Sequence, residues 1–232
     1  VSTIFLLSGG AAEGLVKALA PAFEAHRGMS MAAHFGAVGA MREKLLAGAP
    51  TDIVILTRGM VDALARDGLV VAESIADIGS VPTAVAIRRG DARPDVATPQ
   101  ALALALRGAA EIHAPDLERS TAGIHFAGIL ASLGLGDSVA PALRPHPNGT
   151  TAMAALAASA AAGALGCTQA TEIIAQPGVD LIGLLPDDLA LSTLYSAALC
   201  VSASNRSQAA AFIAELSGQA AGSLRRSLGF SS

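Results

Sequence analysis

The opening residues of the chain alternate between two periodicities, and that alternation constrains the fold more than any other feature. Residues 3–7 (TIFLL) form a short apolar run read as a strand. Residues 12–26 carry Leu15, Val16, Leu19 and Phe23 at helical spacing. Residues 29–35 read as a second strand and 39–47 as a second helix. Residues 52–56 (DIVIL) read as a third strand, and 59–66 as a third helix closed by Asp67-Gly68. Strands joined by helices through short connections run parallel, with the helices covering both faces of the sheet.

Residues 81–87 read as a further strand, followed by the polar turn Arg88-Arg89-Gly90-Asp91, and there the pattern shifts. Pro94, Pro99 and Pro115 punctuate a new series: a helix at 99–106, a strand at 110–113, a helix at 121–133 and a loop at 144–151. A helix to residue 161 follows, then strands at 164–167 and 179–184. A long apolar strand at 193–201 and helices at 206–216 and 220–228 close the chain. No internal repeat of fixed period is present. The expected architecture is α/β with two lobes. Residues 1–84 with 197–232 form the first lobe, residues 85–196 the second, and hinge strands lie near 81–88 and 193–201.

Composition removes several classes of function. With 52% hydrophobic and 15% charged residues in 232, the chain is not disordered. It has no Trp, one Tyr and six Phe, so its core is built from Ala, Leu, Val and Ile. A net charge of −4 and no basic run leave out the electrostatic footprint of a nucleic-acid binder. No apolar run of about 18 residues free of breakers suggests a membrane span. Cys167 and Cys200 lie in no CxxC or Cys/His cluster, so no metal site is expected. They are read as two buried thiols, or as a pair if the protein is exported. A start at Val1, just ahead of a strand, fits a mature exported protein or a trimmed chain.

The stretch FLLSGGAAEG (residues 5–14) breaks a strand on glycines into a helix. Gly9, Gly10 and Gly14 do not make G-x-G-x-x-G, and the next strand ends in His34-Phe35-Gly36 rather than an acid. No Gly-Lys-Ser/Thr follows for a phosphate loop, and no G-x-S-x-G elbow is present. Two readings remain. Ser8 is a hydroxyl donor and cap beside the N–H groups of Gly10 and Ala11, or the turn is plain and Ser8 only caps its helix. Similar helix starts recur at Gly36-Ala37-Val38-Gly39, Thr57-Arg58-Gly59, Ser120-Thr121-Ala122-Gly123 and Asn148-Gly149-Thr150-Thr151. Five such turns converging would hold an anion through N–H groups and hydroxyls.

The order of residues also resembles a known family. FLLSGGAAEGLVKALAPAFEAHRG, LLAGAPTDIVILT (45–57), IHFAGILASLGL (124–135), GALGCTQATEI (163–173) and TLYSAALCVS (193–202) are similar to the molybdate-binding branch of bacterial periplasmic solute-binding proteins. The likeness spans essentially the whole chain. It implies a type 2 periplasmic-binding-protein fold, each lobe a mostly parallel sheet flanked by helices, with a ligand cleft between the lobes. It further implies a monomeric periplasmic protein without cofactor that serves an ABC importer permease.

In that family, serines on the first two loops donate to the oxyanion. Ser8 matches the first, but Val38 stands at the second, where an isopropyl group cannot hydrogen-bond. A small organic carboxylate is therefore expected over molybdate. The expected contacts are Ser8, Gly9, Gly10, Gly36, Ala37, Val38, Arg58, Ser120, Thr121, Gly123, Asn148, Thr150, Thr168 and Tyr195, with Arg58 read either as a bidentate carboxylate anchor or as a solvated surface charge. Glu172 reads as a dipole-favoured or solvated carboxylate. The alternative is an isomerase on the same scaffold, since the resemblance extends to an aconitate-isomerase-like branch. It would move an allylic proton of an unsaturated tricarboxylate, with His125 or His34 as base.

Overall fold

The computed structural model describes residues 2–231. They form two compact units. One comprises the chain up to Ser80 and again from Leu194, and the other is Val81–Thr193. The first unit opens with β1 (Thr3–Gly9), a 3-10 turn (Gly10–Ala12) and α1 (Glu13–Arg27). It continues with β2 (Ser30–Gly36), α2 (Val38–Leu46), β3 (Ile53–Thr57) and α3 (Arg58–Arg66). Helix α1 buries Leu15, Val16 and Phe23 and stops at Gly28, whose φ of 62° is the left-handed geometry that glycine allows. β1 pairs parallel with β2 and with β3, so that Gly9 lies opposite Gly36 and Ser8 opposite Ile55.

β4 (Ala76–Arg88) carries the chain out of the first unit. It starts five residues ahead of the apolar run, a stretch in which polar Asp77 and Ser80 hide the strand pattern from the sequence. The second unit adds α4 (Pro99–Gly108), β5 (Ile112–Pro115), α5 (Thr121–Ser132), α6 (Gly136–Val139) and β6 (Leu143–His146). It ends with α7 (Gly149–Ala158), β7 (Leu165–Gln169), α8 (Ala170–Ala175) and β8 (Val179–Leu184). β4 lies between β8 and β7 and is antiparallel to both; β5 runs parallel to β7 and β6. Val85, Ile87, Leu102, Phe126, Leu130 and Leu165 fill the core between sheet and helices. Thr98 caps α4, with Pro99 in its first turn.

β6 overlaps a stretch, residues 144–151, whose composition reads as a loop. Its four residues show no alternation, and Pro145 argues against a central strand. As the outer strand of the sheet, it tolerates the missing N–H.

β9 (Ser192–Leu199) returns to the first unit, antiparallel to β3, and α9 (Arg206–Ser217) and α10 (Gly222–Ser227) complete it. Phe23 of α1 meets Phe212 of α9 edge to face at 4.9 Å. Asp52 ties these pieces together from a position 2% exposed. Its carboxylate accepts from Phe5 N–H at 2.8 Å, Ser204 N–H at 2.7 Å and Asn205 N–H at 3.1 Å. The Gly-Ala-Pro-x-Asp segment therefore caps the entry to α9 and pins β1, and each of those donors would cost about 1–3 kcal/mol if left buried and unpaired. Cys167 and Cys200 are both free and buried, and burial pushes each thiol up to about 12.

Candidate functional site

In the first unit, the carboxyl ends of β1, β2 and β3 gather the predicted turns at one end of the sheet. Register puts Gly9 beside Gly36, and Thr57 beside Tyr195 of β9. The packing is close. A Cβ built on Gly9 would lie 2.7 Å from Val38 Cγ1 and 3.2 Å from a Tyr195 ring carbon. Gly9 is extended (φ −58°), so glycine is needed there for the approach of Val38 rather than for backbone conformation.

Ser8 differs from its reading as a helix cap. It is the penultimate residue of β1 and fully buried, Gly9 occupies the N-cap, and no side chain caps the 3-10 turn. The Ser8 hydroxyl donates to the Gly9 carbonyl at 2.8 Å. Gly10, Gly36, Ala37 and Val38 are buried around it.

Arg58, expected to grip a ligand carboxylate, already holds two from the protein. Its Nε donates to Asp62 at 2.9 Å and its Nη1 to Asp77 at 3.0 Å and 3.1 Å. The Ser196 hydroxyl donates to Asp77 at 2.6 Å. Hydrogen bonds to Asp62, then to Asp77, push the guanidinium above its ordinary value. His34 lies exposed on β2.

The second unit assembles its turns by the same logic with different chemistry. β5, β6 and β7 are parallel, so the segments leading to Ser120, Asn148 and Gln169 leave one end of the sheet. Ser120 is the N-cap of α5 and makes no side-chain cap bond, which leaves Thr121 and the Gly123 N–H at the helix start. A Cβ on Gly123 would overlap the backbone carbonyls of Pro115 and Asp116, so only glycine lets α5 approach β5 this closely.

Asn148 instead closes a capping box. Its Oδ1 accepts from Thr151 N–H at 2.9 Å, and its own N–H donates to Thr151 Oγ1 at 3.2 Å. A Cβ on Gly149 would overlap the Glu172 carboxylate and the Thr168 hydroxyl. Glu172 is 7% exposed and accepts from Thr168 Oγ1 at 2.5 Å. The positive end of α7, beside Thr150, thus already faces an internal carboxylate. That rules out the solvated reading of Glu172.

His125, one turn into α5, donates from Nε2 to the Leu189 carbonyl at 2.7 Å, which leaves Nδ1 as its basic lone pair. A second histidine group was not anticipated. His113 sits between Glu111 (3.1 Å from Nε2) and His146 (3.0 Å from Nδ1), and Ser159 Oγ donates to the same Glu111 oxygen at 2.6 Å. The sequence offers no signal for it beyond two histidines on neighbouring strands. Gln169, Thr171 and Thr83 are further polar residues absent from the sequence reading, buried at the end of β7 and beside it. A separate groove of about 520 Å³, lined by Ile87, Pro94, Leu104 and Leu165 among others, lies at the amino end of β7, away from these turns.

Residues 4–231 match the family of bacterial extracellular solute-binding proteins. The chain belongs to that family. A curated relative of this solute-binding protein, named aconitate isomerase, from a Pseudomonas species, is 30% identical over 216 residues, 90% of this chain and 80% of that one. Among solved structures, the periplasmic molybdate-binding protein of Azotobacter vinelandii superposes with a TM-score of 0.81 at 19% identity, over 99% of each chain. The sulfate-binding protein SubI of Mycobacterium tuberculosis H37Rv gives 0.74 at 18% identity, over 99% of this chain and 86% of that one. The fold of this solute-binding protein is therefore the type 2 periplasmic-binding-protein fold, related to the molybdate binders. Among the described residues, no helix is long and apolar enough to cross a membrane, and no group of three or more His, Cys, Asp or Glu could hold a metal ion.

Proposed function

We propose that this chain is a solute receptor for a small organic carboxylate, working in the periplasm with an ABC importer permease. The observation that carries the reading is the Val38–Gly9 contact. A methyl group fills the space beside the first turn, while the Ser8 hydroxyl is committed to a backbone carbonyl. A compact tetrahedral oxyanion needs many donors in a dry site. The first turn meets it with N–H groups and carbon, a sparse donor set that suits a planar carboxylate better than a tetrahedral metal oxyanion.

Thermal-shift measurements with molybdate, tungstate, sulfate, citrate and the two aconitates test it. A ligand bound to the native state raises the midpoint in proportion to ln(1 + [L]/Kd). A carboxylate should give the largest shift; molybdate doing so at micromolar concentration would overturn the reading.

The 30% identity to an aconitate isomerase favours a second reading on the same scaffold. Isomerisation takes an allylic proton from one end of the unsaturated system and returns it at the other. The intervening charge spreads into the conjugated carboxylate, where hydrogen-bond donors stabilise it. His125 suits the base, because its bond to Leu189 fixes the tautomer with a free Nδ1. Following cis-aconitate by NMR at high protein concentration decides: conversion that His125→Ala abolishes supports the enzyme, and no conversion removes it.

A further inference from the structure

Three buried side chains of the second unit carry an oxygen without a hydrogen-bond partner: Thr83 Oγ1, Gln169 Oε1 and Thr171 Oγ1. The residues are 1%, 2% and 5% exposed. Thr83 and Gln169 stand directly opposite each other on β4 and β7. The Thr83 backbone bonds elsewhere, its N–H donating to Leu191 O at 2.9 Å and its carbonyl accepting from Leu185 N–H at 3.2 Å. The two side chains therefore rise from one face of the sheet as a non-hydrogen-bonded cross-strand pair, the closer kind. Thr171 follows two residues later in the first turn of α8. The one bond of the Gln169 amide is long, Nε2 donating to Thr193 Oγ1 at 3.4 Å.

Native interiors pair nearly all such atoms, because a buried polar group without a partner is costly. Orphaned oxygens on three residues near the end of β7, where ligands of α/β sheets bind, would be satisfied by a ligand group that reached them there. Their chemistry limits the guest. An ionised carboxylate or a metal oxyanion has only acceptors; it would suit the threonine hydroxyls but face the amide oxygen with a like partner. A hydroxyl group both donates and accepts, and so satisfies Gln169 Oε1 and Thr83 or Thr171 together.

We propose that Gln169, with Thr83 and Thr171, reads a neutral hydroxyl on the carboxylate ligand, so that the preferred ligands are hydroxycarboxylates. This rests on the carboxylate-receptor reading and names its substrate class. The test is calorimetric titration of matched pairs: citrate against propane-1,2,3-tricarboxylate, and malate against succinate. The expected result is about tenfold or greater preference for the hydroxylated member. Gln169→Leu should erase that preference while leaving affinity for the unhydroxylated member within about threefold. Thr83→Val, nearly equal in volume, should shrink the preference in the same direction and serves if Gln169→Leu does not fold. Equal affinity for both members of each pair overturns the hydroxyl subsite and leaves the carboxylate reading standing. Failure of all four to bind overturns both. A crystal structure with bound citrate in which an ordered water alone bridges these oxygens also overturns the subsite.

Discussion

The two units build the same kind of strand-end turn from opposite materials. In the first, Gly9, Gly36, Ala37 and Val38 close the turns with small and apolar groups, the one serine bonds its own neighbour's carbonyl, and Arg58 is held by Asp62 and Asp77. In the second, the corresponding turns carry Ser120, Asn148, Thr168, Gln169 and Glu172, each a hydrogen-bonding side chain. The first unit can offer a ligand mostly backbone N–H groups, which attract anions without discriminating among them. The second holds groups that tell a donor from an acceptor. The two sets of turns thus differ in their chemistry, one mostly backbone and the other mostly polar side chain.

The sharpest way to break that contrast is at Glu172. If the second unit's turns depend on side-chain polarity, Glu172→Ala should lower stability by about 2–4 kcal/mol, since it strands the Thr168 hydroxyl and empties the space against Gly149. Glu172→Gln keeps the volume and an acceptor for Thr168, and should lose about half as much. Urea unfolding with an unchanged slope measures both. A loss below about 0.5 kcal/mol for the alanine variant would mean that the cost of burying the carboxylate cancels what its hydrogen bonds contribute.

The matching experiment in the first unit tests shape instead. Gly9→Ala pushes a methyl group into Val38 Cγ1 and should cost about 1–3 kcal/mol. The double variant with Val38→Ala should recover a good part of that loss, with a coupling of about 0.5–2 kcal/mol. Strict additivity of the two substitutions would show that the turn does not depend on this contact. Polar repair has no place here, whereas at Glu172 it should matter most.

What was legible in the sequence follows the same division. Strands β1 to β3 and their helices were readable because a local periodicity of 2 or 3.6 reports on burial directly. The glycine turns were readable because punctuation is local too. The partners of Arg58 were not, since Asp77 lies 19 residues away and Ser196 reaches Asp77 from 119 residues away. Glu172 against Gly149 is likewise a contact across elements. Gln169 is odd only because its oxygen lacks a partner, and an absence of that kind exists only in three dimensions. β6 was hidden for another reason: four residues containing a proline carry too little pattern to outweigh their loop-like composition.

The smallest expected effect is a pH dependence confined to the second unit. Hydrogen bonds from Ser159, first, and His113 hold the Glu111 carboxyl below its ordinary value. Burial, then the neighbouring His113, lowers His146 as well. If His113 Nε2–H donates to Glu111, its Nδ1 accepts from His146 Nε2–H; with both rings protonated there would be no acceptor between them. For both shifted groups the unfolded chain binds more protons than the native one, so stability rises with pH across each window. On acidification, the His146 contribution is lost first, starting near its unfolded value of about 6.5, and the Glu111 contribution follows in the carboxylate range. The unfolding midpoint should therefore fall between about pH 7 and about pH 5, and fall less in His146→Gln. Ser159→Ala should weaken only the more acidic part of the decline, because it releases Glu111 without touching the imidazole pair. No counterpart is expected from Arg58, whose guanidinium stays charged throughout that range. A midpoint that does not change with pH, or one that changes equally in the His146 variant, would show that the histidine pair is electrostatically silent and leave the two units alike in this respect.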